Sequence, residues 1–124
     1  MSSRGPIPIL CVGTTLLATV HLDLHDAIAE AFQEDVLQKI ESTGASGLII
    51  DISGLEIVDS YVARILADTG RMAKLMGTAT AIVGMRPEVA ATLIRMGFSL
   101  AGVHTALNVE EGLKLLGSTI LIGG

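Results

Sequence analysis

Two short apolar runs open the chain, IPILCVG over 7–13 and TLLATVHL over 15–22, and the Gly13–Thr14 pair between them predicts a β-hairpin. In the second run Thr15, Leu17, Thr19 and His21 alternate with Leu16, Ala18, Val20 and Leu22, the period of a half-exposed strand. The period then changes. Across HDAIAEAFQEDVLQKIESTG, Ile28, Ala31, Phe32, Leu37 and Ile40 recur at helical spacing, with Glu30, Glu34, Asp35 and Glu41 largely opposite. This predicts an amphipathic helix ended by Gly44, with Asp23 or the His25–Asp26 pair closing the strand and capping the helix.

GLIIDIS (47–53) is a continuous apolar run ending at an acid, as expected of a strand buried on both faces. After the loop GLEIV, residues 59–76 predict a second helix, with Val62, Ile65, Leu66, Thr69, Met72, Ala73 and Met76 along one stripe and Gly77 after it. TATAIVG (78–84) predicts another buried strand. Arg86–Pro87–Glu88 then opens a third helix, because proline suits the first helical position and an acid the first turn. That helix carries Val89, Ala90, Leu93 and Ile94 and ends at Gly97, so all three helices close on a glycine. GVHTAL (102–107) predicts a last short strand, and Asn108 caps a helix running to Leu116. GSTILIGG (117–124) is apolar and takes no assigned element. The order β-β-α-β-α-β-α-β-α predicts an α/β fold over 1–124: one domain, a mixed β-sheet with parallel crossovers packed against about four helices.

Composition narrows what such a domain does. The chain has 124 residues, enough for one compact core. Half of them are hydrophobic but only 2% aromatic, so Leu, Ile, Val, Ala and Met fill that core. A mean hydropathy of +0.64 in so small a chain predicts apolar surface covered by another protein. Net charge is −5, unevenly placed: residues 1–62 hold nine acids against Arg4 and Lys39, whereas 63–124 hold six bases against four acids. With no basic cluster and no aromatic platform, the pattern argues against nucleic acid and for a protein partner. The single Cys11 has no CxxC or Cys/His array near it, which predicts a buried strand residue in a reducing cytoplasm. The uncharged stretch Gly5–Val20 follows Arg4, yet Pro6, Pro8 and the Thr14–Thr15 pair break it. It is too short to span a bilayer and has no small-x-small cleavage site, so neither a signal peptide nor a membrane segment is expected.

Four chemistries deserve weighing. Asp51 at a strand end suggests a phosphorylated receiver aspartate, but that reaction needs Mg²⁺ and further carboxylates, and IPILCVGTT supplies none. Asp51 is more simply a turn carboxylate. Ser60 as a hydrolytic nucleophile would need small neighbours for a tight elbow; it has Val58 and Tyr61, and only His21, His25 and His104 as candidate bases. In HLDLHD, His21, Asp23 and His25 would share a face of an extended strand as metal ligands, although closing the strand and capping the helix explains the same residues. No phosphate-cradling glycine loop is present, and no cofactor is implied. Asp59 and Ser60, in contrast, sit at a helix start. Either one caps the helix, and a hydroxyl there also suits a phosphate, because the backbone amides tolerate its charge.

LIIDISGLEIVDSYVARIL, the buried strand AIVGM and the opening RPEVAATLIRMG together resemble STAS domains over essentially the whole chain. VHLDLHDAIAEAFQEDV, IDISGLEIVDS, VGMRPEVAATLIRMGFSL and TALNVEEGLKLLG are similar, more narrowly, to the RsbS-type scaffolds of bacterial stressosomes. The resemblance implies a non-enzymatic cytoplasmic protein that self-associates with RsbR-type STAS paralogues into a large assembly and holds an RsbT-type serine kinase. Phosphorylation by that kinase, here on Ser60, would release it to a stress-response pathway. The resemblance further implies that Asp59, Asp23 and Tyr61 form the surroundings of the phosphate. Thr92 lies in a region resembling that around the second phosphorylatable threonine of RsbR paralogues and is not counted as a site. Where directly acting anti-anti-sigma factors read D-S-S/T-G, this chain has Tyr61 and Val62 after the serine, which favours the scaffold branch. The alternative is a freestanding STAS module that captures an anti-sigma factor or binds a nucleotide or other small ligand.

Overall fold

Alternation in the strands decides the layers. The computed structural model describes residues 7–20, 24–97, 99–100 and 102–123. β1 (Ile9–Val12) and β2 (Thr15–Thr19) form the hairpin, Gly13 taking φ 63° at the first turn position, as a two-residue turn matched to strand twist requires. β2, β3 (Gly47–Asp51), β4 (Ala79–Val83) and β5 (His104–Ala106) run parallel, giving one sheet in sequence order β1-β2-β3-β4-β5 with only the β1–β2 pair antiparallel. The crossovers are α1 (Asp26–Thr43), α2 (Ser60–Leu75) and α3 (Pro87–Arg95); α4 (Val109–Gly123) follows β5. This is the mixed-sheet α/β fold with four helices that the pattern predicts.

Leu16, Ala18, Leu48, Ile50 and Ile82 point to one face, where they pack against Phe32, Val36 and Ile40 of α1, Val62 and Leu66 of α2, and Val89 and Leu93 of α3. Ile49, Ala81 and Val83 point the other way, against Leu116 of α4. β3 and β4 therefore read as unbroken apolar runs because both their faces are covered. β2 is covered fully on one side only, so Leu16, Ala18 and Val20 are buried while Leu17 and Thr19 are half-exposed, as its alternation predicts.

Several expectations shift by part of a helical turn. The buried stripe of α1 is Ala29, Phe32, Val36 and Ile40, with Ala31 and Leu37 at its margins. In α2, Met72 and Met76 are not core residues: they remain 41% and 44% exposed, and the inward face is instead Val62, Ala63, Leu66, Ala67, Thr69, Gly70 and Ala73. Small residues turn that face inward because they let the helix settle against the sheet; a Cβ on Gly70 would lie 2.3 Å from Val103 Cγ2. Cys11 is in a strand as expected but exposed, since β1 is the sheet edge and no helix lies over it. His25 occupies the N-cap of α1 without a side-chain cap bond, and Asp23 and His21 lie outside the described residues. The apolar tail left without an element continues α4 as far as Gly123. Gly44, Gly77 and Gly97 follow the ends of α1, α2 and α3 with φ between 66° and 88°, the left-handed closure expected.

Candidate functional site

The loop from β3 to α2 carries the predicted site, and its shape is set before Asp59 is reached. Asp51 Oδ1 accepts a hydrogen bond from the Ser53 backbone N–H at 2.9 Å, so this acid is the turn carboxylate of the chain reversal. Across the turn, Gly84 at φ 73° lies so close that a Cβ there would meet Asp51 Oδ1 and Ser53 Cβ, each at 2.9 Å. Arg86 Nε donates to the Ser53 carbonyl at 3.0 Å, tying the loop to the start of α3. Leu55 and Val58 then bury their side chains and anchor the loop, while Ile57 between them is 78% exposed.

Asp59 is the helix cap. Its backbone is extended (φ −89°, ψ 173°), its Oδ1 accepts from the Val62 N–H at 2.8 Å, and its carbonyl accepts from Ala63 N–H at 3.0 Å. Sequence left the cap to either Asp59 or Ser60; with the carboxylate in that role, the hydroxyl of Ser60 is released. Ser60 is the first residue of α2, exposed, and its hydroxyl has no hydrogen-bond partner among the described residues. The unpaired N–H groups of a first helical turn surround it, with partial positive charge.

Tyr61 crosses to α1 and donates its phenol hydrogen to Glu30 Oε2. That hydrogen bond, then partial desolvation, then the negative charges of Glu30 and Asp26, hold the phenol above its ordinary pKa of 10.0. Asp26, Glu30 and Asp59 thus make the ground around Ser60 acidic. The α1 contact was not legible in the sequence, because nothing in residue spacing shows which turn of one helix meets which turn of another. Of the four residues expected here, the structure brings together Asp59, Ser60 and Tyr61; Asp23 lies outside the described residues.

Beside the loop is an open groove of about 730 Å³, lined by Glu56, Ile57, Val58, Arg86, Glu88, Ala91, Thr92 and Arg95. Thr92 Oγ1 donates to the Glu88 carbonyl at 2.9 Å and accepts from Arg95 Nη2 at 3.3 Å, so its hydroxyl is engaged within α3. Sequence reading missed this groove; the mixed charge of Glu56, Arg86, Glu88 and Arg95 becomes a cluster only when α3 lies against the loop. Neither His25 nor His104 hydrogen-bonds Ser60, and among the described residues no three His, Cys, Asp or Glu side chains gather to hold a metal. No helix among them is long and apolar enough to cross a membrane.

Residues 9–112 match the model of the STAS domain family. Over 117 residues the chain is 34% identical to the RsbT co-antagonist protein RsbRD of Bacillus subtilis, covering 94% of this chain and 41% of that protein. It spans a third to two fifths of the length of the curated RsbR-type relatives it matches. Among solved structures, a serine-to-glutamate variant of Moorella thermoacetica RsbS superposes with a TM-score of 0.83 at 37% identity, covering 94% of this chain and 99% of that one. A chain from the molecular architecture of the stressosome, a signal integration and transduction hub, superposes with a TM-score of 0.75 at 38% identity, covering 91% and 98%. The sheet order, the helix opened by an aspartate cap and the family match agree: this chain belongs to the STAS domain family.

Proposed function

We propose that the chain is a non-catalytic cytoplasmic scaffold of a stressosome, which retains an RsbT-type serine kinase together with RsbR-type partners and releases it when Ser60 is phosphorylated. One observation carries this reading. Asp59 takes the capping bond, so Ser60 presents an unengaged, exposed hydroxyl at the positive end of α2. A phosphate on it adds a charge of roughly −1.5 to −2. Backbone amides of the first turn accommodate that charge, so the domain stays folded, while Asp59, Glu30 and Asp26 make the same surface strongly negative toward a partner. A tenfold to hundredfold loss of kinase affinity needs only about 1.4 to 2.8 kcal/mol. Likeness to RsbS and to RsbT co-antagonists supports the choice of partner, and Tyr61 in place of the small residues of D-S-S/T-G supports the scaffold branch.

The test is the mass and composition of the assembly formed with an RsbR-type partner, before and after kinase and ATP. Kinase is expected to leave the complex with wild-type protein and to stay with Ser60→Ala. Equal kinase affinity for Ser60→Asp and Ser60→Ala would sink the switch. The groove favours a second reading, a small anionic ligand such as a nucleotide held between Arg86 and Arg95. A rise in melting temperature with micromolar nucleotide, abolished by Arg95→Ala, would select it.

A further inference from the structure

We infer that the free edge of β1 pairs with β1 of a second copy, making one continuous sheet through two molecules. This deepens the scaffold reading by naming the face on which two copies meet. Strand parity supplies the first argument. The two-residue turn makes Val12 and Thr15 a hydrogen-bonded pair, so Leu10 and Leu17 are the next such pair, and Leu10 and Val12 direct their amides toward β2. Ile9 and Cys11 therefore direct their N–H and C=O groups outward, from the edge of the sheet. Pro8 falls on the inward parity, so its missing N–H does not blunt that edge.

Charge supplies the second argument. Edges that must stay single carry Lys or other charges. Here residues 5–20 contain none, on a chain of net charge −5 whose copies otherwise repel. A two-fold axis requires a patch that complements itself, and an uncharged antiparallel edge does so. The third argument is area. Four residues of backbone fall short of the roughly 800 Å² per partner that a stable interface buries. Leu10 (59% exposed) and Val12 (46% exposed) share a sheet face with half-buried Leu17, beside the span of β3, β4 and β5 that α4 covers, and extend the contact. Only outward-facing residues can pair across the axis, which places it at Leu10 or at Cys11; either register sets Cys11 opposite or diagonal to its own copy.

Light scattering on the full chain alone, across micromolar concentrations, tests this. A dimer is expected, and Cys11→Lys is expected to weaken it at least about tenfold without changing the melting temperature or circular dichroism. Mild oxidation should cross-link Cys11 much faster than a single cysteine moved to exposed Leu75 by Cys11→Ser with Leu75→Cys. A monomer throughout, a dimer indifferent to Cys11→Lys, or equal cross-linking at both positions would each overturn the pairing. Neither kinase nor RsbR-type partner is present, so a monomer whose kinase retention still responds to Ser60 phosphorylation would remove this inference and leave the scaffold reading standing.

Discussion

Replacing Gly84 by alanine probes the support beneath the Ser60 loop. Two costs combine. At φ 73° a non-glycine residue loses roughly 1–2 kcal/mol from the clash of its Cβ with its own backbone. The new Cβ would also sit 2.9 Å from Asp51 Oδ1, 2.9 Å from Ser53 Cβ and 3.2 Å from Ser53 N. Those contacts are too short to be met without moving the turn, and overpacking of this kind costs roughly 1–3 kcal/mol. Displacing Asp51 from the Ser53 N–H weakens a charge-assisted bond as well, so the expected loss is about 3–5 kcal/mol, a large share of ordinary domain stability. Gly77→Ala is the control: φ is 88°, yet nothing lies within 4 Å of its Cβ, so only the backbone cost of about 1–2 kcal/mol applies. Urea unfolding of the two variants, with unchanged m, measures the difference directly. If they lose the same stability, the close approach of Gly84 to the Asp51–Ser53 turn does not constrain the loop, and the account of how the site is held fails.

Asp59→Ala should cost about 1 kcal/mol through the lost cap, whereas Ser60→Ala should stay within about 0.5 kcal/mol of wild type; a larger loss at Ser60 by thermal or urea unfolding would return the capping role to the hydroxyl. Tyr61 is the chain's single tyrosine and there is no tryptophan, so phenolate absorbance against pH reports it alone, and its midpoint should lie above 10.0 and fall on Glu30→Gln. Because the folded-state pKa is the higher one, the Tyr61 contribution to stability is complete below the unfolded value of about 10 and disappears as pH rises through the folded value; a wild-type midpoint at or below 10.0 would contradict the Glu30 bond. Thr80 Oγ1 is buried without a partner in β4, so Thr80→Val should be neutral or stabilising by roughly 1 kcal/mol in urea unfolding, and a clear destabilisation would reveal a bond the hydroxyl makes.

Local order was written plainly in the chain. Asn108 caps α4, its Oδ1 accepting from Glu111 N–H at 2.9 Å, and Pro87 opens α3, because a cap or a proline acts within a few residues of itself. The runs GLII and TAIV announced strands covered on both sides, since no polar residue is spared for an exposed face. The DS pair marked the site for the same local reason: a short acid and a hydroxyl ahead of an apolar periodic run are a helix start wherever they occur.

Distances across the chain were not readable. Met72 and Met76 fit a helical stripe as well as Thr69 and Gly70 do, and only the approach of α2 to Val103 and Thr80 rewards the smaller side chains. Cys11 looked like core by composition, but burial needs a neighbour on the far side, and β1 has none among the described residues. The tie from Tyr61 to Glu30 and the seating of the Asp51 turn on Gly84 join residues about thirty positions apart. The amino-acid sequence by itself determined where helices and strands begin, and that an acid and a hydroxyl open α2, because those choices are made by backbone amides within one turn. Tertiary structure alone decided which of the two is the cap, which acids crowd the free hydroxyl and which strand edge is left open, because these depend on how α1, α3 and the sheet pack around that loop.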